Sequence, residues 1–110
     1  MGEENQINVL SIESKKTSRL KLQAFFKNTD GINLAAEAID EQAAFLRLQD
    51  NTIDVVLLDL GLVDTDCIDL TKKIRKAHAT VKVVVFTSSD KPDDIFAAMN
   101  AGADGYVLKG

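Results

Sequence analysis

The 110-residue sequence has few of the residues that mark secreted, disulfide-stabilised domains: it contains one cysteine, one proline and no tryptophan. Because Cys67 has no partner within the chain, an internal disulfide is impossible and the fold must rest on packing. The first six residues are polar and acidic and lack the basic-then-apolar pattern of a signal peptide. We therefore expect a single domain, residues 1–110, located in the cytoplasm.

The sequence also lacks a surplus of positive charge and a long apolar run. The net charge is −4, and the 13 Lys and Arg residues are scattered. The densest basic stretch, residues 72–76, has the pattern of a solvated helix face, whereas phosphate binding needs a concentrated basic surface. No apolar run approaches the about 20 residues that span a bilayer. We expect neither membrane insertion nor direct nucleic-acid binding by this chain.

Short runs rich in Val, Ile and Leu alternate with amphipathic segments along the chain. Strands buried on both faces are predicted at residues 7–12, 53–59 and 81–87, with weaker candidates at 32–38 and 105–108. Helices are predicted at residues 14–27, 41–49, 66–77 and 92–101, with N-caps at Ser14, Asp40 and Asp66. This alternation predicts an α/β fold, with a doubly wound five-stranded parallel sheet in the order 2-1-3-4-5.

The end of the sequence is unusual for such a fold. The chain stops at Lys109-Gly110, directly after the fifth strand, and has no last helix. One face of the sheet is then covered by the first helix alone, through an apolar face of Leu20, Leu22, Phe25 and Phe26. Apolar sheet surface is expected to remain uncovered. We expect a chain truncated after the fifth strand, or a homodimer that covers this surface.

Four polar residues follow or end predicted strands: Glu13, Asp59, Thr87 and Lys109. The carboxyl ends of parallel strands share one edge, and ligands of doubly wound folds bind there. Two neighbouring carboxylates can bind Mg²⁺, and an Asp carboxylate can attack phosphorus to form an acyl phosphate. A lysine and a hydroxyl can hold the remaining phosphoryl oxygens. The four residues therefore predict a phosphoryl-acceptor pocket at this edge.

Three stretches carry a resemblance to a known family: VVLLDL at 55–60, VVVFTS at 83–88 and AGADGYVLK at 101–109. With them, the sequence from residue 7 onward resembles the receiver domains of bacterial two-component response regulators, which have a flavodoxin-like fold. The resemblance implies that Asp59 is the phospho-acceptor and Thr87 the switch hydroxyl. It also implies that Lys109 contacts the phosphate and that the Tyr106 rotamer reports phosphorylation.

The same resemblance implies the cofactor and the partners. Mg²⁺ would be held by Glu13, Asp59 and the backbone carbonyl of Gly61. A histidine kinase would donate the phosphoryl group, and an output domain or partner protein, such as a DNA-binding domain outside this chain, would receive the signal in the phosphorelay. No enzymatic activity beyond the acceptor pocket is implied.

The sequence departs from the family pattern where receiver domains usually carry two adjacent acids. This chain has Glu13-Ser14, and a neutral hydroxyl contributes far less to a hard cation than a carboxylate does. We therefore expect weakened Mg²⁺ binding. Val63 stands where proline is usual, and Cys67, where glycine is frequent, is expected to be a partly buried helix residue.

Three functions remain open from the sequence. The first is a phosphorylatable receiver, and the second is a pseudo-receiver that binds proteins independently of phosphate because of Ser14. The third is a flavodoxin-like cofactor binder, indicated by the hydroxyl-rich residues 14–18 after the first strand. Against the third, aromatic residues make up only 5% of the chain, which leaves little to enclose a flavin ring.

Overall fold

A computed structural model describes residues 6–110 and contains five strands and four helices that alternate. The strands are β1 (Ile7–Ile12), β2 (Ile32–Ala38), β3 (Val55–Leu58), β4 (Lys82–Thr87) and β5 (Gly105–Leu108). The helices are α1 (Lys16–Lys27), α2 (Glu41–Asp50), α3 (Cys67–Ala77) and α4 (Pro92–Asn100). All strand pairs are parallel, in the order β2-β1-β3-β4-β5, so the predicted topology is confirmed.

The strand order places the ends of β1 and β3 side by side. Ile12 pairs with Leu58, the last residue of β3, and the backbone N–H of Asp59 donates to the Ile12 carbonyl at 3.1 Å. Asp59 was predicted as the last residue of its strand, but β3 ends one residue earlier and also begins two residues later than predicted. The short strand leaves Asp59 at the edge of the sheet, directly after the buried Leu58.

The helix N-caps agree with the prediction at two of three positions. Side-chain oxygens of Asp40 and Asp66 accept the backbone N–H groups of Ala43 and Asp69, at 2.8 and 3.0 Å. Each bond satisfies a donor that the first helical turn leaves unpaired. The prediction for Ser14 is wrong, because α1 starts later and Lys15 is its N-cap, without a side-chain cap bond.

The two faces of the sheet are covered unequally. On one face, alternate strand residues such as Val56 and Val83 pack against α2 and α3 in a continuous core that includes the fully buried Leu70 and Ile74. A smaller cluster of Val85, Ala98 and Ala103 lies under α4. The strand residues between these point to the second face and give it Val, Leu and Phe side chains.

That second face carries an apolar groove of about 590 Å³ beside α1. Its lining includes Leu57, Val84, Phe86 and Val107 from the strands and Phe25 from α1. The predicted apolar face of α1 is only partly correct: Phe26 is buried, but Leu20 and Phe25 are about half exposed. Among residues 6–110, no helix is both long and apolar enough to cross a membrane.

Candidate phosphoryl-acceptor site

The backbone fixes three of the predicted site residues just beyond the strands. The N–H of Glu13 donates to the Ala38 carbonyl at 2.9 Å, and the N–H of Lys109 donates to the Thr87 carbonyl, also at 2.9 Å. With the Asp59 bond to Ile12, these contacts extend the parallel ladders by one residue. The side chains that leave the ladder here therefore start from the same edge of the sheet.

Lys109 joins the two carboxylates. Its Nζ lies 2.5 Å from Glu13 Oε1 and 3.6 Å from Asp59 Oδ2. The exposed fractions of the side chains are 3% for Glu13, 14% for Asp59 and 24% for Lys109. A buried carboxylate needs a paired charge, because it has lost its hydration. The Lys109 ammonium supplies that charge to Glu13 and remains within reach of Asp59.

Further contacts hold Glu13 and Lys109 in place. The second carboxylate oxygen of Glu13 accepts the backbone N–H of Lys15 at 3.1 Å. The Lys109 ammonium lies 5.7 Å from the centre of the Phe86 ring, a cation–π distance. Neither contact was predicted from the sequence. The alternation of β4 indicates that Phe86 and Thr87 face opposite ways, but which of them meets Lys109 depends on side-chain rotamers.

Gly61 lies against the Asp59 carboxylate. A Cβ atom built at this glycine would be 3.3 Å from Asp59 Oδ2, closer than most side chains tolerate. Glycine therefore keeps space free beside the predicted acceptor. On the other side, the buried Cys67 thiol donates to the Asp59 carbonyl oxygen at 3.4 Å. The expected helical position of Cys67 is confirmed, and its burial raises the pKa of the thiol above its ordinary value.

Thr87 ends β4 and Tyr106 lies in β5, and both are close to the loop that leads into α4. Thr87 is buried at the end of β4, paired with Leu108 of β5. Tyr106 is half-buried, and its hydroxyl donates to the backbone carbonyl of Ser89 at 2.9 Å. The Ser89 hydroxyl in turn donates to the Asp94 carboxylate in the first turn of α4. These two hydrogen bonds, which join β5 to α4 through the loop after Thr87, were not predicted from the sequence.

Ser14 adds no charge to the site. Its backbone carbonyl accepts Arg19 Nη1 at 2.8 Å, so a guanidinium is held at the loop where a second acid would stand in a typical receiver domain. The contact between Arg19 and Ser14 was not predicted, because a charged residue in the first turns of a helix is common and does not by itself indicate a partner. Within residues 6–110, no three Asp, Glu, His or Cys side chains come together in a group that could hold a metal ion.

The donor set permits a magnesium ion with few protein ligands. Glu13 and Asp59 share Lys109, which places both carboxylates at one edge, and Gly61 follows Asp59 by two residues. Mg²⁺ commonly keeps several waters and takes only one or two carboxylates from the protein, together with substrate phosphate oxygens. The carboxylates of Glu13 and Asp59 therefore fit such an ion in number and kind, with one carboxylate fewer than the family pattern provides. The Gly61 carbonyl as a further ligand stays a prediction.

The chain is similar to known sequences over nearly its whole length. The family model described as response regulator receiver domain covers residues 9–110. The chain belongs to this family. The receiver domain is 31% identical over 109 residues to the nitrate/nitrite response regulator NarP of Escherichia coli, which covers 99% of this chain and 51% of NarP.

Other relatives agree with this assignment. The response regulator VraR of Staphylococcus aureus is 26% identical over 103 residues, covering 94% of the receiver domain and 49% of VraR. The chain thus spans about half the length of these curated relatives. The family assignment leaves the hypothesis of a flavodoxin-like cofactor binder without support. Two of the hydroxyl residues on which that hypothesis rested, Thr17 and Ser18, lie in the helix α1.

Solved structures show the same fold. A LuxR-family two-component response regulator from Aurantimonas sp. SI85-9A1 superimposes with a TM-score of 0.88 at 26% identity, covering 96% of this chain and 75% of that chain. The isolated receiver domain of RcsB from Salmonella enterica serovar Typhimurium gives a TM-score of 0.86 at 22% identity, covering 96% of this chain and 78% of that chain. The latter similarity concerns the fold alone.

Proposed function

We propose that this receiver domain accepts a phosphoryl group on Asp59 from a histidine kinase and passes the signal to an output domain or partner protein. The observation that supports the proposal is the convergence of Lys109 on both carboxylates, with Asp59 the more exposed of the two. Glu13 is buried and doubly hydrogen-bonded, whereas Asp59 keeps access to solvent. Of the two acids, Asp59 is therefore the one that a phosphodonor can reach.

In the proposed reaction, an Asp59 carboxylate oxygen attacks phosphorus and forms an acyl phosphate. The bond between phosphorus and the imidazole nitrogen of the kinase histidine breaks, and that nitrogen keeps the electron pair. Lys109, 3.6 Å from Asp59 Oδ2, is placed to pair with the new phosphoryl oxygens. Thr87 is proposed to donate its hydroxyl to another of these oxygens. A Mg²⁺ ion at Glu13, Asp59 and the Gly61 carbonyl would neutralise charge on the phosphoryl oxygens.

The change would travel toward α4 and β5. Movement of the Thr87 hydroxyl would shift the loop that contains Ser89, whose carbonyl accepts the Tyr106 hydroxyl. We propose that this bond is replaced when Asp59 is phosphorylated and that the surface of α4 and β5 changes with it. The output would come from an output domain or partner protein, such as a DNA-binding domain outside this chain. A cytoplasmic location belongs to the same proposal.

A pseudo-receiver is the second candidate, and one observation favours it. Lys109 already neutralises Glu13, and Ser14 supplies no further carboxylate, so this site has less negative charge left to hold a metal ion than a typical receiver domain has. Such a domain would present a constant surface of α4 and β5 to its partner.

Intact-mass spectrometry after incubation with acetyl phosphate and Mg²⁺ separates the two candidates. The phosphorylatable receiver gains the mass of one phosphoryl group, and Asp59→Asn gains none. A known phosphorylatable receiver, treated in parallel, shows that the reagent is active. If the folded wild-type domain gains no mass under these conditions, the phosphorylation proposal is wrong and the pseudo-receiver remains.

A further inference from the structure

The ion pair between Lys109 and Glu13 has a consequence for metal binding. Lys109 Nζ is 2.5 Å from Glu13 Oε1, more than 1 Å closer than it is to Asp59 Oδ2 at 3.6 Å. Glu13 Oε2 accepts the backbone N–H of Lys15. Both oxygens of this carboxylate are thus engaged inside the protein, and only 3% of the side chain is exposed.

A second cation that approaches this buried carboxylate must share it with the Lys109 ammonium or displace the ammonium, and two cations on one carboxylate repel each other. The lysine ammonium is a compact point charge on a flexible stem, so it can leave Glu13 without moving the backbone. The Lys109 stem has room to move, because the ammonium lies over the Phe86 ring beside the open apolar groove. Its departure would expose the Glu13 oxygen that now faces Nζ.

The neighbouring residues make competition between Lys109 and a metal ion more important in this domain. In a site with two acids after the first strand, one carboxylate could pair with the lysine while the other held the metal ion. Here Ser14 is neutral, and Arg19 adds positive charge at the same loop. Within residues 6–110, Lys109 pairs with Glu13 and Asp59, so a divalent cation at this edge would have to share the same two carboxylates.

We propose that Lys109 is the resident counter-ion of Glu13 and competes with divalent cations for it, so that Lys109, together with Ser14, keeps the metal affinity of this domain low. The inference concerns the metal site of the proposed function but does not depend on phosphorylation, since it is tested with the metal ion alone. Lys109 acts here as a positioning residue, in addition to its proposed contact with the phosphoryl group.

Isothermal titration calorimetry with Mg²⁺, in the absence of any phosphodonor, tests the competition. We expect Lys109→Met to bind Mg²⁺ about tenfold more tightly than the wild type, because the substitution removes a positive charge beside the Glu13 carboxylate that would hold the ion. Lys82→Met is the matched control, because it removes the same charge from an exposed position at the opposite edge of the sheet. Its Mg²⁺ affinity should equal that of the wild type. Equal or weaker binding by Lys109→Met overturns the proposal.

Lys109→Met leaves a buried carboxylate unpaired, so a measurement on the wild type covers the case in which the variant does not fold. The Lys109 ammonium resonance of the wild type, observed by proton–nitrogen NMR, should lose the signature of a hydrogen-bonded amine as Mg²⁺ is added. A resonance that stays unchanged throughout the titration contradicts competition between Lys109 and the metal ion. Both readouts are independent of whether Asp59 accepts a phosphoryl group.

Discussion

At the scale of single residues, Asp59 is held by packing contacts as well as by charged neighbours. Gly61 stands beside the Asp59 carboxylate, and Cys67 contacts the carbonyl of the same residue. Glu13 and Lys109 provide the nearby charge. The proposed acceptor is thus limited by contacts on its backbone and on its side chain, and each contact can be altered separately.

The first prediction concerns Gly61→Ala. The added methyl group would lie 3.3 Å from Asp59 Oδ2, so the carboxylate must shift by a few tenths of an ångström. We expect phosphorylation by acetyl phosphate to slow severalfold, because small displacements of a reacting group are costly. Gly110→Ala is the control, since its added methyl group meets nothing within 4 Å. Equal rates for both variants and the wild type would show that Gly61 does not shape the site.

The second prediction concerns Cys67 and pH. Burial raises the pKa of its thiol above the ordinary value of 9.0, so the folded state keeps the thiol proton longer than the unfolded state does. This contribution to stability is complete below pH 9 and is lost as the pH rises through the folded pKa. Urea unfolding of the wild type and Cys67→Ala between pH 8 and about 10.5 measures it. The wild type should lose more stability than the variant over that range, and parallel curves would contradict the prediction.

The placement of site residues shows what the sequence can and cannot predict. Glu13, Asp59 and Lys109 were predicted to meet because they follow parallel strands, and the strand order fixes that edge. Their distances were not predictable. That Lys109 lies closer to Glu13 than to Asp59, and that Arg19 bonds to Ser14, depends on rotamers and burial that residue type alone does not specify.

At the scale of elements, the helix starts differ in how they are stabilised. The capping side chains of Asp40 and Asp66 begin α2 and α3, the two helices that cover the larger core. Lys15 and Lys91 begin α1 and α4 without side-chain cap bonds. Ser14 was predicted as a cap because serine is favoured there, but the backbone after Glu13 turns toward the site first, through the Lys15 N–H.

Removing a cap tests this difference. We expect Asp40→Ala to lower the free energy of unfolding by about 1 kcal/mol, because the Ala43 N–H loses its partner. Lys91→Ala, at the equivalent position of α4, should change it by less than about 0.5 kcal/mol. Chemical denaturation of both variants measures the two values. Similar losses would mean that the Asp40 cap bond contributes little.

At the scale of the whole molecule, the two faces of the sheet are covered to different extents. The face under α2 and α3 is a closed core, whereas the face beside α1 retains the apolar groove. This inequality was predicted from the sequence, because one helix cannot cover a five-stranded sheet. What covers the groove was not predictable, since a following helix and a second copy would both present apolar side chains.

The groove predicts self-association of the 110-residue chain. Phe25 and Val107 line it and are 55% and 49% exposed. Apolar surface of this kind favours association, so we expect sedimentation velocity to show dimers whose fraction rises with concentration. Phe25→Ser should shift the equilibrium toward monomer. Leu46→Ser on α2, equally exposed but away from the groove, should not. A wild-type chain that stays monomeric would contradict the prediction.

The central claim is that Asp59 is the residue that accepts the phosphoryl group. Borohydride reduction of the domain after treatment with acetyl phosphate and Mg²⁺ tests it most directly, because it converts an aspartyl phosphate to homoserine. Peptide mass spectrometry then locates the converted residue. We predict homoserine at position 59 and at no other aspartate. Homoserine elsewhere, or none in the folded domain while a known receiver treated in parallel is converted, would contradict the claim.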